Sequence, residues 1–176
     1  MNLRLLLATV LIAFVSTGCG QKETSSATAS SEGSPTATAA APAAAPAKAG
    51  PRTVEITAGD NMKFSLATIE AKPGEEIKVV LTNIGSQPKE VMGHNFVLLK
   101  GGTDVAAFAA AAIAAKATDY IPEGQKDKII AHTALLGPRK SDEITFKVPD
   151  APGDYPFLCS FPAHFQVGMK GVLTVK

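Results

Sequence analysis

The sequence predicts an all-β sandwich of about seven or eight short strands, with one helical insertion, over residues 52–176. Apolar and polar residues alternate with a period of two in several short runs, for example Val54 and Ile56 around Glu55, as expected for strands with one buried face. Sequences rich in Gly and Pro separate the runs and favour tight turns. Two packed sheets can bury the apolar face of each strand.

The strand pattern recurs along the whole of this region. The run 75–83 is the clearest, because Ile77, Val79 and Leu81 alternate with other residues. Lys-Pro-Gly, Gly-Gly, Gly-Pro and Ala-Pro-Gly sequences lie between the runs. The predicted strands, in order, cover residues 52–59, 75–83, 94–100, 127–133, 142–148, 155–159 and 171–176.

An alanine-rich segment, residues 103–120, interrupts the strands. Alanine has the highest intrinsic helix propensity, so this segment predicts a helix that leaves the sheets. Thr103 is the predicted N-cap, since its hydroxyl can accept a hydrogen bond from a free backbone N–H, and Asp104 suits the first turn.

Residues 1–18 have the organisation of an export signal. Arg4 precedes an apolar run, residues 5–15, and small residues follow it. The sequence Val-Ser-Thr-Gly-Cys that ends at Cys19 resembles a bacterial lipobox, in which the cysteine becomes the acylated first residue of the mature chain. Two alternatives remain open. These are secretion with a free thiol and an uncleaved anchor, although the apolar run is short for a membrane span.

Residues 19–51 consist mainly of Ala, Ser, Thr and Pro and contain no large apolar side chain apart from the cysteine. Such a segment cannot bury a core, and its prolines disfavour helix. We predict a disordered tether that reaches on the order of 100 Å when fully extended. With Cys19 acylated, it would anchor the domain 52–176 to a membrane and hold it clear of the surface.

The net charge and the number of cysteines limit the classes of partner and of site that the chain can have. The chain carries 17 Lys and Arg and 16 Asp and Glu, a formal net charge of +1, so we do not expect nucleic acid as a partner. It has two cysteines. If Cys19 carries lipid, Cys159 stands alone in an exported protein and cannot form an intramolecular disulfide. This favours metal ligation or nucleophilic reactivity.

The segment 159–169 concentrates metal-ligating side chains. Four residues separate Cys159 from His164, four more separate His164 from Met169, and His94 lies upstream at the start of a predicted strand. Two imidazoles, one thiolate and one thioether suit copper that cycles between Cu(I) and Cu(II), because sulfur favours Cu(I) and imidazole serves both states. A rigid sandwich that fixes these ligands would favour fast electron exchange.

Each of these residues also has an ordinary structural explanation. A single cysteine often behaves as a small buried hydrophobe, Met169 could belong to the core, and His94 could be a hydrogen-bonded strand residue. Zinc also binds Cys and two His, although structural zinc sites use a fourth strong ligand. A Cys159–His164 nucleophile and base pair lacks an evident third residue to orient the imidazole. The four residues together favour copper.

Four short motifs extend this interpretation: Val-Met-Gly-His-Asn at 91–95, Ile-Ala-His-Thr at 130–133, Cys-Ser-Phe-Pro-Ala-His at 159–164 and Met-Lys-Gly at 169–171. With these motifs the chain resembles azurin and auracyanin, type 1 or blue copper proteins of the cupredoxin family. The resemblance covers nearly all of residues 52–176. It implies an eight-stranded Greek-key sandwich with a helical flap, one copper ion, and one-electron transfer by a protein that is not an enzyme.

The resemblance also implies roles for individual residues. The implied copper-binding residues are His94, Cys159 and His164 as equatorial ligands, Met169 as the axial ligand, and Gly93 as a weak axial contact through its carbonyl. The backbone N–H groups of Asn95 and Phe161 are implied as hydrogen-bond donors to the thiolate sulfur. Such bonds around the ligands tune a metal site.

Several positions depart from azurin. Four residues separate His164 from Met169, as in plastocyanin and auracyanin, whereas azurin has three. The disulfide of azurin is missing, and Phe96 replaces its buried tryptophan. Asn83 aligns with a pH-responsive histidine of azurin, so we expect no reduction potential coupled to that position. His132 matches an azurin residue that is not a copper ligand.

The predicted function is a lipid-anchored electron carrier outside the cytoplasmic membrane, facing the periplasm or the cell exterior. As a monomer it would pass electrons between redox proteins such as cytochromes or membrane complexes. The edge of His164 is the predicted electron portal, within an apolar patch suited to short-lived docking. The patch residues are Val91, Met92, Phe161, Pro162, Ala163 and Val167. A copper-binding or sequestration protein without an electron-carrier role is the alternative.

Overall fold

The computed structural model describes residues 50–176, so the export signal, Cys19 and most of the tether lie outside the described residues. The strands are β1 Arg52–Ala58, β2 Thr68–Ala71, β3 Glu76–Asn83, β4 Val97–Leu99, β5 Ile129–His132, β6 Ser141–Lys147, β7 Gly153–Leu158 and β8 Lys170–Val175. The helices are α1 Lys89–Met92 and α2 Val105–Ile113, and two 3₁₀ segments cover Lys116–Thr118 and Glu123–Lys128.

The strands form two sheets, which confirms the predicted all-β sandwich. One sheet has the strand order β1-β3-β6, and the other has the order β2-β8-β7-β4-β5. β1 pairs with β3 and β2 pairs with β8 in parallel, whereas the remaining pairs are antiparallel. β7 precedes the segment 159–169 and β8 follows it, and these two strands are direct neighbours in the second sheet. β4 lies on the other side of β7.

The main core lies between the two sheets. In β3 the predicted alternation is confirmed, since Ile77, Val79 and Leu81 are fully buried and the residues between them are partly exposed. The rings of Phe96 and Phe157 lie in the same core with centroids 4.8 Å apart. Each fully buried side chain of this size contributes about 1.5–3 kcal/mol to stability.

A smaller core lies on the other face of the second sheet. Val97 and Leu99 of β4 and Leu158 of β7 cluster there with Phe108 and Ala109 of α2. All three residues of β4 are buried, because one face of the strand contacts the main core and the other faces the helix. The alanine-rich helix α2 therefore also packs against Leu158 at the end of β7, the residue just before Cys159.

The helical insertion is shorter than predicted, and its cap is a different residue. α2 spans nine residues, and no helix within residues 50–176 is long and apolar enough to cross a bilayer. The Asp104 carboxylate accepts the Ala107 N–H at 3.0 Å and is the N-cap. The Thr103 hydroxyl instead donates to the Lys100 carbonyl oxygen at 2.7 Å, so the prediction of Thr103 as the cap is wrong.

Gly171 of β8 is the cross-strand partner of Phe157 of β7, and the missing side chain leaves room for the Phe157 ring. A Cβ at this position would overlap the Phe157 ring and would lie 2.5 Å from the Ala67 carbonyl oxygen. We predict that Gly171→Ala lowers the free energy of unfolding by about 2–4 kcal/mol, because neither neighbour is the free end of a flexible side chain. Urea denaturation measures this change. Gly124→Ala is the matched control, since a Cβ there meets nothing within 4 Å, and equal losses in the two variants would contradict the prediction.

Candidate metal centre

The sheet topology brings together the segments that carry the predicted ligands. Cys159 follows β7, Met169 precedes β8, and the loop between them contains His164. β7 also pairs with β4, which begins three residues after His94. All four predicted ligands therefore lie at the same end of one sheet.

A backbone bridge fixes the position of His94. Its N–H donates to the Leu136 carbonyl oxygen at 3.1 Å, and the Leu136 N–H donates to the His94 carbonyl oxygen at 2.8 Å. The buried Asn83 side chain donates to the same Leu136 oxygen at 3.1 Å. His94 is thus an isolated bridge residue before β4, and the strand predicted over 94–100 covers only Val97–Leu99.

Backbone hydrogen bonds also close the ligand loop, residues 159–169. The Cys159 N–H donates to the Met169 carbonyl oxygen at 3.1 Å, and the Met169 N–H donates to the His164 carbonyl oxygen at 2.9 Å. The His164 N–H donates to the Phe161 carbonyl oxygen at 3.2 Å. Backbone hydrogen bonds therefore join each predicted ligand residue in the loop to another one.

The side chains of His94, Cys159 and His164 form a buried cluster. One donor atom from each lies within 4.8 Å of the others, and the Cys159 Sγ is 3.4 Å from the His164 Nδ1. The two imidazole centroids are 4.9 Å apart. The Gly93 carbonyl oxygen lies 4.0 Å from the Cys159 Sγ, and the Met169 side chain is fully buried.

The cluster fits a metal ion better than it fits a packed core. Neither ring nitrogen of His94 has a hydrogen-bond partner among residues 50–176, although the side chain is fully buried. A buried polar group without a partner costs about 1–3 kcal/mol, and a cation that took one nitrogen as a ligand would offset this cost. Two donors bound at about 2.0–2.3 Å to one ion can lie at most roughly 4.6 Å apart, and the three donors here lie within 4.8 Å of one another. Two imidazoles with a thiolate and a thioether suit copper.

The pKa of the Cys159 thiol depends on its burial and on two backbone N–H groups. Burial raises the pKa of the Cys159 thiol to about 12. Hydrogen bonds from the backbone N–H groups of Asn95 and Phe161 act in the opposite direction and lower this pKa. Without a cation the sulfur keeps its proton at neutral pH, so metal binding must displace that proton.

Burial also lowers the pKa of both imidazoles. The pKa of His94 is lowered by burial. The nearby Gly59 carbonyl, whose geometry does not make it a hydrogen-bond partner of the imidazole, and the Asp60 carboxylate oppose this by smaller amounts. The pKa of His164 is lowered to about 4, chiefly by burial and further by the neighbouring His94. In the unfolded chain both imidazoles would bind protons below pH about 6.5, whereas in the folded chain His164 would bind a proton only towards pH about 4 and His94 only at a pH below its ordinary value.

We predict that the metal-free protein loses stability as the pH falls from 7 to 5, by on the order of 1–2 kcal/mol for His164 and by a further contribution of the same sign for His94. The stabilisation is present above the unfolded pKa of about 6.5, and for His164 it is lost progressively as the pH falls towards about 4. Urea denaturation at each pH measures it. His164→Phe should reduce the slope. A stability that does not change between pH 7 and pH 5 would contradict the prediction.

Asn95 links the His94 segment to the ligand loop. Its Oδ1 accepts the Ser160 N–H at 2.9 Å, and its Nδ2 donates to the Ser160 hydroxyl oxygen at 2.8 Å. Both residues are buried. No sequence motif predicts a role for Ser160, and its position next to Cys159 is the only signal that points to it. The pair fixes the separation of the two segments that carry His94 and Cys159.

Most of the predicted docking patch reaches the surface. Val91, Ala163 and Val167 are exposed, and Met92 and Pro162 are half-buried. These side chains belong to α1 and to the ligand loop. They leave an apolar surface next to the chain segments that carry the buried cluster.

Phe161 departs from the predicted patch. Its ring packs against the rings of Tyr120 and His164, with centroids 5.0 Å and 4.7 Å away, and the residue is only 8% exposed. Little of this ring is available to a partner. His164 is itself only 2% exposed, so nearly all of this residue is covered by other side chains and backbone.

Comparison with known proteins gives a consistent assignment. The family described as copper binding proteins, plastocyanin/azurin family, matches residues 52–176. Azurin of Pseudomonas fluorescens biotype A is 41% identical over 127 residues, which are 70% of this chain and 97% of that protein. Auracyanin-B of Chloroflexus aurantiacus is 43% identical over 83 residues, which are 47% of this chain and 35% of that protein.

Solved structures agree with this assignment. Reduced auracyanin from Roseiflexus castenholzii superimposes with a TM-score of 0.63 at 42% identity, over 70% of this chain and 96% of that one. Auracyanin A, a blue copper protein from Chloroflexus aurantiacus, superimposes with a TM-score of 0.64 at 31% identity, over 72% of this chain and all of that one.

The fold and the buried cluster together define a blue copper protein with the cupredoxin fold, in which three donors are positioned for one copper ion. The chain belongs to the plastocyanin/azurin family of copper-binding proteins. The predicted copper cofactor is confirmed at this level.

Proposed function

We propose that the protein is a mononuclear type 1 copper electron carrier that passes single electrons between redox partners outside the cytoplasmic membrane. His94, Cys159 and His164 would be the equatorial ligands, and Met169 the axial ligand. The observation that carries the proposal is the buried cluster of three donors that includes the partnerless imidazole of His94. The Gly93 carbonyl, 4.0 Å from the Cys159 Sγ, would be a weak second axial contact.

Copper held by these residues would supply one-electron redox chemistry and no bond-forming step, so we propose no enzymatic activity. The chain contributes a site that does not rearrange. Backbone hydrogen bonds join Cys159, His164 and Met169, and the bridge to Leu136 holds His94. With these backbone restraints a change of oxidation state would require little movement of the ligands, which would favour fast electron exchange.

Groups around the ligands would tune the potential. The N–H groups of Asn95 and Phe161 would stabilise negative charge on the Cys159 sulfur, in agreement with their effect on its pKa. Asn83 has no ionisable group, and its amide is bonded to the Leu136 carbonyl oxygen. We therefore propose that the reduction potential does not respond to pH through this position.

Electrons would enter and leave at the edge of His164. The exposed side chains of Val91, Ala163 and Val167 would dock partners weakly, as rapid turnover between partners requires. The partners would be redox proteins such as cytochromes or membrane complexes, and the protein would act as a monomer. The balanced formal charge gives no attraction to nucleic acid.

Anchoring would depend on Cys19, which lies outside the described residues. We predict that Cys19→Ser releases the chain from the membrane fraction, because each buried acyl methylene contributes about 0.8 kcal/mol to membrane binding. Fractionation followed by immunoblotting measures this. Cys159→Ala, which changes the other cysteine, should leave the chain in the membrane fraction. Continued association of Cys19→Ser would point to an uncleaved anchor.

Electron self-exchange separates the proposal from a copper sequestration protein. NMR line broadening in mixtures of the oxidised and reduced protein measures the self-exchange rate. A carrier exchanges electrons rapidly and retains copper in both states. Slow exchange, with release of copper from one of the two states to a chelator, would favour sequestration and contradict the proposal.

A further inference from the structure

A lysine far from the ligand loop in sequence is bonded to that loop. Lys63 lies between β1 and β2, and its Nζ donates a hydrogen bond to the carbonyl oxygen of Val167, a residue 104 positions later. Val167 is two residues before Met169. The contact therefore joins a separate chain segment to the part of the loop that carries the axial ligand.

The carbonyl of Val167 is an acceptor that the loop itself does not use. The N–H groups of Val167, Gly168 and Met169 donate to the carbonyl oxygens of three other loop residues, at 3.1, 3.0 and 2.9 Å. No backbone N–H within residues 50–176 donates to the Val167 oxygen. The Lys63 ammonium is thus its hydrogen-bond partner in the described part of the chain.

Gly168 leaves room for the approach of the Lys63 ammonium to the loop. Its φ is +93°, a left-handed backbone conformation that suits glycine, and a Cβ at this position would lie 2.8 Å from the Lys63 Nζ. The loop thus has no side chain at the point where the ammonium approaches it. This residue is also one of the four between His164 and Met169.

The backbone of Lys63 is itself held in place. Its N–H donates to the Asn61 Oδ1 at 3.2 Å, and the preceding Met62 has a φ of +53° and packs against the core. The Met62 N–H donates to the Gly59 carbonyl oxygen at 2.9 Å, which closes the turn. The ammonium therefore extends from a fixed turn, although the side chain is exposed.

We propose that Lys63 is a positioning residue for the copper site. Its ammonium holds the Val167 carbonyl and thereby restrains the segment Val167–Met169, so that the Met169 thioether keeps one position in both oxidation states. The inference rests on the proposed role of Met169 as the axial ligand. Lys63 lies outside all four sequence motifs that carry the resemblance to azurin and auracyanin.

Amide hydrogen exchange in the metal-free full chain tests the restraint without reference to copper. In Lys63→Met, which keeps the length of the side chain and removes the donor, the amides of Val167, Gly168 and Met169 should exchange on the order of threefold to tenfold faster. Lys63→Arg keeps a donor and should stay within about twofold of the parent chain. Lys100→Met, at another exposed lysine, should change none of these amides. Unchanged loop amides in Lys63→Met, or equal acceleration throughout the domain, would overturn the proposal.

The reduction potential and the rate of copper loss to a chelator test the link to the metal. Lys63→Met should shift the potential and accelerate copper loss by several-fold, whereas Lys63→Arg should restore both and Lys100→Met should affect neither. A faster-exchanging loop with unaltered copper properties would overturn the role of Lys63 at the metal. Failure of the parent chain to bind copper would instead overturn the proposed function, and the exchange result would still decide whether Lys63 restrains the loop.

Discussion

Replacement of Cys159 by alanine is expected to abolish the intense visible band of the copper-loaded protein. That band requires charge transfer from a thiolate to Cu(II), and Cys159 is the only cysteine within residues 50–176. The variant should still fold, because removal of one buried sulfur from a core of this size costs about 1 kcal/mol. Absorption spectroscopy after addition of Cu(II) measures the loss, and circular dichroism checks the fold.

The exposed His132 provides a control for this experiment. It ends β5 outside the buried cluster, so His132→Ala should retain the full intensity of the band. His94→Ala should weaken or abolish it. A blue band that persists in Cys159→Ala would exclude Cys159 as the copper ligand.

Replacement of Asn95 by alanine is expected to destabilise the metal-free protein by about 2–4 kcal/mol. The substitution removes the hydrogen bonds between Asn95 and Ser160, and it leaves the N–H and the hydroxyl of Ser160 without these partners at a residue that is 2% exposed. Because these bonds join the His94 segment to the ligand loop, copper loss should also accelerate. Urea denaturation and chelator competition measure the two effects.

A double-mutant cycle assigns the loss to the pair. Asn95→Ala and Ser160→Ala should be strongly non-additive, with a coupling energy of about 1–2 kcal/mol. Gln166→Ala, at an exposed position of the same loop, should change stability by less than about 0.5 kcal/mol. Additive losses from Asn95→Ala and Ser160→Ala would show that the pair does not act as a unit.

The strands could be predicted from the sequence where one buried face gives a clear period of two. β3 is such a case, with Ile77, Val79 and Leu81 buried in alternation. β2, Thr68–Ala71, was not predicted because its four residues include only two buried side chains. α1, Lys89–Met92, is a single turn with no buried residue, so it has no periodic pattern to recognise.

The candidate site was predictable because its chemistry is concentrated in one segment. Cys159, His164 and Met169 are close in sequence, and their residue types narrow the choice of metal. The supporting contacts were not predictable in the same way. Asn83 bonds to Leu136, 53 residues away, and only the sheet topology brings these residues together. Lys63 is 104 residues from its partner and has no distinctive sequence context.

The N-cap residue of α2 could not be predicted from residue type alone. Thr103 and Asp104 are both good capping residues, and the sequence does not say which side chain turns towards the first helical N–H. The turn after β4 decides, because the Thr103 hydroxyl donates to the Lys100 carbonyl oxygen. Asp104 is then free to accept the Ala107 N–H.

The visible absorption and electron paramagnetic resonance spectra of the full chain with one equivalent of Cu(II) decide whether His94, Cys159 and His164 form a type 1 copper site. A thiolate of Cys159 and the imidazoles of His94 and His164 around one copper ion predict an intense blue band with narrow copper hyperfine splitting. A colourless protein that binds one metal ion tightly would contradict this account and would favour a zinc or Cu(I) storage site at the same residues.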